Sequence, residues 1–547
     1  MRMTWQTCRW PVLLLILWMI TLTGIHSIPL EDHEALVIET AREMGEQGDW
    51  VLPSFNYEPR LNKPPASYWA TAMVSRLDPF SEEVQIRHGR LVSLLAGLVM
   101  VFATYRVGTT LFDPATGKLA SLMLLGMQGY LHLSHNARPD FLYALFGVLQ
   151  LFAWMVAWKA EDGTARQRRY AWLGWVMAGL ATLTKGPQVP AVYLAGMLVF
   201  LLCGCDRRRT LKVLRPCVGI AIFLVLVLPW WFLLQQRLKN LRIDLSTTQL
   251  SGSLLYNLAG WKEILSCYYP LNLLYLTLPA SLVIPFVIPR LWKDRRETAA
   301  PTRILIDASA VLLLVFTLGG HYREQYLLPL LPASAILLAR AVHAARVPPL
   351  QGRWKRGAKV LLALLMVLCL GLILRGQGYA SLLWLSLNLV PLWLLLRQER
   401  GESAWAGHLF SSQLLRISVI LTIIVTGCIA YFPSEREQLH RDRQSFAESV
   451  GRTLQDGDRI CQWRSDPGIL PFYVKRRVTR FDEQAGLAAY LQENHGEHRT
   501  YAVVSKPELP GFLAGLEGDV VTTGDGRQQR ENEWVLVRLT GLRRVRP

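Results

Sequence analysis

Five short polar clusters carry residue types that could do chemistry. The first is Glu31-Asp32-His33-Glu34, where carboxylates flank an imidazole. Asp32, His33 or Glu34 could take a proton as a general base. The same residues would also serve as an acidic helix start, because carboxylates favour the positive end of the helix dipole. The second cluster is Arg60-Leu61-Asn62-Lys63-Pro64-Pro65, followed by Tyr68 and Trp69. The Pro-Pro pair fixes an extended backbone. Lys63 is then a rigidly presented cation beside interfacial aromatics, suited to gripping a lipid phosphate; a solvated juxtamembrane lysine is the plainer alternative. The third is His135-Asn136-Ala137-Arg138-Pro139-Asp140, in which Asp140 opens an apolar run and would equally serve as its cap. The fourth is Thr184-Lys185-Gly186-Pro187, where Gly-Pro makes a turn that does not itself require the lysine. The fifth is His321-Tyr322-Arg323-Glu324-Gln325-Tyr326.

The elements that must position these clusters are membrane helices. The chain has 547 residues, 51% of them hydrophobic, with a mean hydropathy of +0.23. About 20 apolar residues span a bilayer as a helix. Apolar runs of that order recur at 11–28, 91–110, 118–134, 140–158, 170–184, 188–204, 217–235, 271–289, 304–319, 326–343, 360–375, 379–396 and 416–432. The expectation is a polytopic α-helical membrane protein of about 13 spans, the first an uncleaved signal anchor. The segments 159–169, 206–216, 290–303 and 345–359 are basic, and alternation puts them on one side, which is the cytoplasm. That pattern explains most of the +18 net charge without a nucleic-acid partner. The eight cysteines are scattered and contain no CxxC, so they read as small hydrophobes within helices.

An odd span count leaves the N-terminus cytoplasmic and the C-terminus external. Two longer external segments, about 29–90 and 236–270, interrupt the pattern. The first opens with a helical stretch at 33–47, with Val37, Ile38, Ala41 and Met44 on one side and Glu39, Arg42, Glu43 and Glu46 on the other. Such a helix suits the membrane surface. The domain organisation expected is a transmembrane domain over 1–433 and a small soluble α/β domain over 434–547. In the latter, apolar strands at Arg459–Trp463, Arg477–Phe481, Tyr501–Val504, Asp519–Thr523 and Trp534–Leu539 alternate with polar stretches, and Glu483–Glu493 forms a helix. All five polar clusters fall on the external face. Ionisable groups at a membrane boundary are functional candidates, against the simpler reading of Lys and Arg as interfacial anchors.

The ordered set His33-Glu34-Ala35, Ala41-Arg42-Glu43-Met44, Gly48-Asp49-Trp50-Val51, Asn62-Lys63-Pro64-Pro65 and Tyr68-Trp69 resembles the first external loop of the ArnT-like aminoarabinose transferase and protein O-mannosyltransferase family. Gly179-Leu180, Thr184-Lys185-Gly186-Pro187 and Arg323 with Tyr326-Leu327-Leu328-Pro329 are similar to later motifs of that family. The resemblance covers about 1–430. It implies a GT-C-type glycosyltransferase of the cell inner membrane. The donor would be a polyprenyl-phosphate-linked sugar and the acceptor lipid A, another glycan or a protein. A first-loop carboxylate would act as base, and cations would hold the departing phosphate. It further implies donor-phosphate roles for Lys63, Arg60, Lys185, Arg138, Arg323 and Tyr326, with Asp140 as an acidic partner. No metal ligand set is implied; a divalent metal stays an open option.

One departure concerns the base. Aligned on Ala41–Met44, the family's Asp-Glu pair falls on His33 and Glu34, with Asp32 one residue early, so Asp32, His33 and Glu34 remain alternatives. Asn62 stands where an acidic residue often precedes Lys-Pro. A transporter or flippase of lipid-linked envelope precursors would instead place charges in mid-helix and show broken helices in paired halves; few charges lie within the spans and no paired halves appear. A non-catalytic membrane assembly factor would leave the external clusters dispensable.

Overall fold

The computed structural model describes residues 5–21, 28–202, 207–243, 267–284, 300–319, 322–344, 435–465, 468–493, 499–514, 516–521 and 534–542. The chain forms two compact units. The first comprises Met1–Ser27, Leu61–Ala70 and Arg90–Phe432, and the second Ile28–Arg60, Thr71–Gly89 and Pro433–Pro547.

In chain order the described elements begin with α1 (Trp5–Thr21), α2 (Asp32–Gln47), β1 (Ser54–Phe55), β2 (Glu58–Pro59), α3 (Ala66–Arg76), α4 (Ile86–Leu111) and α5 (Pro114–Leu125). There follow α6 (Gln128–Ser134), α7 (Pro139–Lys159), α8 (Ala165–Lys185), α9 (Gln188–Leu202), α10 (Arg207–Leu214) and α11 (Pro216–Asn240). After these come α12 (Tyr268–Leu276), α13 (Ala300–Leu318) and α14 (Leu330–Ala344).

Four stretches among the described residues are long and apolar enough to cross a membrane: Ile86–Leu111, Pro139–Lys159, Arg207–Asn240 and Ala300–Leu318. Within Arg207–Asn240, Arg215 takes a left-handed φ of 43° and separates α10 from α11. The helix α7 is enclosed along most of its length, packing on α8, which in turn packs on α11. Helix α9 packs on α13 and α5 on α14. By contrast α11 turns Val218, Ile220, Val225, Phe232 and Leu233 outward, as a lipid-facing helix does. Some buried polar side chains in this unit find partners: Gln150 Nε2 donates to Pro190 O at 3.0 Å, Tyr193 OH to Pro329 O at 2.8 Å, and Trp175 Nε1 to Leu214 O at 2.7 Å, whereas Tyr130 OH and Trp154 Nε1 have no hydrogen-bond partner among the described residues. An apolar surround makes leaving such groups unpaired costly.

The second unit holds α2, the β1–β2 hairpin and a five-stranded sheet of order β4-β3-β5-β7-β6. Its strands are β3 (Arg459–Trp463), β4 (Val478–Phe481), β5 (Thr500–Ser505), β6 (Leu516–Val521) and β7 (Trp534–Leu542). The β4-β3-β5 part is parallel, and β7 pairs antiparallel with both β5 and β6. Helices α15 (Glu435–Thr453), α16 (Leu470–Val474), α17 (Gln484–Glu493) and α18 (Leu509–Leu513) complete it. Its core is Cys461, Trp463, Leu487, Val504, Phe512 and Val537.

Several elements differ from the sequence expectation for local reasons. The apolar run 118–134 is two helices: α5 ends at the Gly126 cap, and Gln128 N then donates to Leu278 O at 2.9 Å. In the run 271–289 a helix ends at Leu276 and a short 3₁₀ turn, Ala280–Val283, follows Pro279, while residues 285–289 lie outside the described residues. Proline cannot donate to a helix and crowds the preceding turn. Pro329 likewise separates a 3₁₀ turn, Glu324–Leu327, from α14. Helix α11 runs on to Asn240, into the segment expected as external from 236, its last turn carrying Arg237 and Lys239 at the negative end of the dipole. The expected spans 360–375, 379–396 and 416–432, and residues 244–266 of the second external segment, lie outside the described residues.

Candidate functional site

In the first unit the ends of two helices meet. Pro139 occupies the first position of α7, where its missing N–H costs nothing, and Asp140 sits in the first turn. Helix α8 stops at Lys185 because Gly186 adopts φ 118° and ψ 176°, a backbone region almost confined to glycine, with Pro187 behind it. Asp140 therefore stands at a positive helix end and Lys185 at a negative one, each on the side its charge prefers. Lys185 Nζ donates to Asp140 Oδ1, both side chains being largely buried. The same ammonium lies 4.4 Å from the centroid of the Tyr326 ring and 5.8 Å from that of Tyr143. Tyr326 stacks on Phe316 at 5.3 Å. Tyr143 is itself fixed: its hydroxyl accepts from Val189 N at 2.7 Å and donates to Gln188 Oε1 at 3.3 Å.

Lys63 and Arg138 also act electrostatically on Asp140. Three cations thus share one carboxylate, and the excess positive charge suits an anion such as a phosphate. Five of the residues singled out from sequence, Lys63, Arg138, Asp140, Lys185 and Tyr326, are gathered in this unit. Arg323 is exposed; its backbone N donates to Tyr269 OH at 3.4 Å, and its guanidinium has no partner among the described residues.

The second unit holds Asp32, His33, Glu34 and Arg60. Glu34 closes a capping box with Glu31, its Oε2 accepting from Glu31 N at 3.2 Å. Asp32 and His33 are exposed, and Asp32 faces Arg443 at 3.9 Å. The Arg60 guanidinium lies 5.9 Å from the Phe55 ring, with a buried Nε that has no hydrogen-bond partner among the described residues.

The amphipathic reading of α2 needs correction. Glu39 and Glu43, expected on its solvent side, are both fully buried. Arg42 forks onto Glu39 at 2.6 and 2.8 Å and onto Glu46 at 2.5 Å. Glu43 accepts from Ser54 Oγ at 2.6 Å and from Tyr57 N at 3.0 Å, which ties the hairpin to the helix. Sequence reasoning missed Glu43 as a buried group. The available signal was its i,i+4 spacing from Glu39 with Arg42 between, a set that can satisfy itself away from water. Tyr68 is likewise buried within the protein. Among the described residues no group of three His, Cys, Asp or Glu side chains is placed to hold a metal ion.

Burial pushes the Glu43 carboxyl up to about 7, and the Glu39 charge adds to this, while contacts from Ser54, Tyr57 and Arg42 pull it down. The folded state thus keeps a proton that the unfolded chain releases near 4.5. The stabilisation is complete below that value and is lost as pH rises through about 7. A tenfold change in proton affinity is worth roughly 1.4 kcal/mol, so the effect is on the order of 3 kcal/mol. Glu43→Gln keeps an acceptor without the titration. Melting temperatures measured at pH 5 and pH 8 should fall less with pH in this variant than in wild type.

Comparison with known proteins places these features. Residues 62–232 match the family described as dolichyl-phosphate-mannose-protein mannosyltransferase. Over 97% of its length the chain superposes on ArnT from Cupriavidus metallidurans in the apo state, covering 97% of that chain with a TM-score of 0.74 at 19% identity. The fold is ArnT-like. The ArnT-like resemblance read from the loop motifs therefore holds. A more distant likeness reaches the Archaeoglobus fulgidus oligosaccharyltransferase, with a TM-score of 0.53 and 12% identity over 98% of this chain and 77% of that one. In sequence, an undecaprenyl phosphate-α-4-amino-4-deoxy-L-arabinose arabinosyl transferase of Pseudomonas fluorescens is 26% identical over 70% of this chain and 66% of its own. An uncharacterized protein of Aquifex aeolicus is 25% identical over 56% of this chain. The matched stretch spans 58% of the Aquifex relative's length. The apolar helices of the first unit have the length and composition needed to cross a membrane.

Proposed function

We propose that this ArnT-like chain is an inner-membrane glycosyltransferase that moves a sugar from a polyprenyl-phosphate donor to an envelope acceptor on the external face. The observation that carries the reading is the buried Lys185–Asp140 pair, charged further by Lys63 and Arg138, at the facing ends of α7 and α8. Two relatives support the donor class: a sequence relative named as an undecaprenyl phosphate-linked arabinosyl transferase, and an ArnT structure bound to undecaprenyl phosphate. The reaction breaks the bond between the anomeric carbon and the phosphate oxygen. It forms a bond to the acceptor oxygen, whose proton passes to a base, and polyprenyl phosphate departs.

Lys63, Lys185, Arg138, Arg60 and Arg323 are the donor-phosphate cations in this reading, and Tyr326 holds the Lys185 ammonium. Asp140 orients Lys185. The base is drawn from Asp32, His33 and Glu34. The acceptor is lipid A, another envelope glycan or a protein. About 13 spans over 1–433 and an external domain over 434–547 complete the layout, with the N-terminus cytoplasmic.

Purified protein would be incubated with radiolabelled polyprenyl-phosphate sugar and an envelope lipid extract. Wild type should transfer label, and Lys63→Ala and Glu34→Gln should each lose transfer. Glu34→Gln keeps a carbonyl acceptor for the capping box, so it tests the charge and not the helix. Full transfer by both variants would remove these residues from the site; no transfer by wild type from any such donor would remove the enzyme reading.

A further inference from the structure

We infer that the C-terminal domain positions the first external loop for the proposed transfer, with Asn56 as the residue that couples them. The inference rests on the transferase reading and adds to it a role for the soluble domain.

The loop's hairpin pairs Ser54 with Pro59 and Phe55 with Glu58, leaving Asn56 and Tyr57 as its two turn residues. Both have φ of 59°. Positive φ at both central positions is the signature of a type I′ turn, whose second position is normally glycine. A tyrosine there is strained, so something outside the turn must hold it. That something is β4. Asn56 Nδ2 donates to Val478 O at 2.8 Å, and Val478 N donates to Asn56 Oδ1 at 2.7 Å. Because β4 is an edge strand, its outer backbone groups need a partner. The Asn56 amide supplies both a donor and an acceptor, as a neighbouring strand would.

Other contacts surround this one. Arg477 pairs with Glu58 at 2.6 Å, Tyr57 OH donates to Lys475 O at 3.3 Å, and Lys475 pairs with Glu83. The start of the loop is held as well: Leu30 N donates to Gln444 Oε1 at 3.0 Å, and Arg443 faces Asp32. From the turn the coupling continues inward. Tyr57 N and Ser54 Oγ grip Glu43 of α2, the helix whose first turn carries Asp32, His33 and Glu34. A backbone position in the C-terminal sheet is thus linked by hydrogen bonds to the helix that presents the candidate base. Asn56 is a positioning residue in this scheme; it touches no substrate.

The test uses the full-length protein. Asn56→Gly removes the amide and leaves the turn free to form, since glycine adopts positive φ without strain. Transfer should fall at least tenfold in kcat, with the half-saturating donor concentration changed less than twofold, and hydrogen exchange across 30–60 should rise. A second pair of variants guards against a folding defect. Glu58→Arg should slow transfer, and Glu58→Arg combined with Arg477→Glu should restore it. Wild-type kcat in Asn56→Gly, or unchanged exchange across 30–60, would overturn the inference. So would a donor half-saturation that rises in step with the loss of kcat. If wild type itself transfers no sugar, the transferase reading fails, and the exchange measurement still decides whether Asn56 docks the loop.

Discussion

Lys185→Ala is expected to reduce sugar transfer by at least about 100-fold, the scale set by removing one preorganised charge-stabilising group from a site where charge develops. The cause is specific. Lys185 brings the ammonium that sits between Asp140 and the Tyr326 ring, and its position is fixed by the Gly186 turn. Without it Asp140 still has Lys63 and Arg138 in electrostatic reach, so the carboxylate is not stranded and the fold should survive. Lys185→Arg should restore only part of the rate, because a planar guanidinium does not reproduce a compact ammonium wedged between a carboxylate and a ring face. Initial rates at saturating donor, compared with helical content by circular dichroism, separate loss of chemistry from loss of fold. A rate within threefold of wild type in Lys185→Ala would take this residue out of the phosphate site.

The second large effect is on the scaffold. A side chain at Gly117 of α5 would put Cβ 2.6 Å from Thr109 N and from Tyr105 O of α4, and a Cβ at Gly108 would meet Gly117 Cα at 2.8 Å. These are backbone atoms, so no rotamer change relieves the clash, and the helices must separate. Close helix crossings in membranes depend on such small residues. Gly117→Val should cost about 3 kcal/mol or more and yield protein that aggregates on size exclusion in detergent. Gly45→Ala is the control, because nothing lies within 4 Å of its Cβ position in α2. It should leave the melting temperature unchanged or raise it. A well-behaved Gly117→Val with wild-type melting would contradict the α4–α5 packing.

Much of the secondary structure was legible because period and length dominate it. The helix expected at 33–47 is Asp32–Gln47, and the strands expected at Arg459–Trp463 and Trp534–Leu539 are β3 and β7, the latter running to Leu542. The breaks were harder to read, since they depend on partners far away in sequence. Gln128 N finds Leu278 O, a carbonyl that hydropathy around residue 126 does not announce. In the candidate site, residue types pointed to Asp140 and Lys185 singly, as a carboxylate and a cation at helix ends. Their pairing across 45 residues is tertiary information. Glu43 looked solvated because one helix face was counted as polar, whereas the hairpin covers it. Asn56 drew no notice at all, because its value lies in an edge strand 422 residues away.

A sugar on a polyprenyl phosphate, as the proposed donor, must leave its lipid phosphate behind when the sugar is transferred. The most direct test is to quantify free polyprenyl phosphate and glycosylated acceptor together, in vesicles containing purified protein, donor and envelope lipid acceptor. Polyprenyl phosphate should be released in equal amount to sugar transferred, dependent on acceptor and lost in Lys185→Ala. Sugar transfer without release of polyprenyl phosphate, or no release in the presence of acceptor, would contradict this donor assignment.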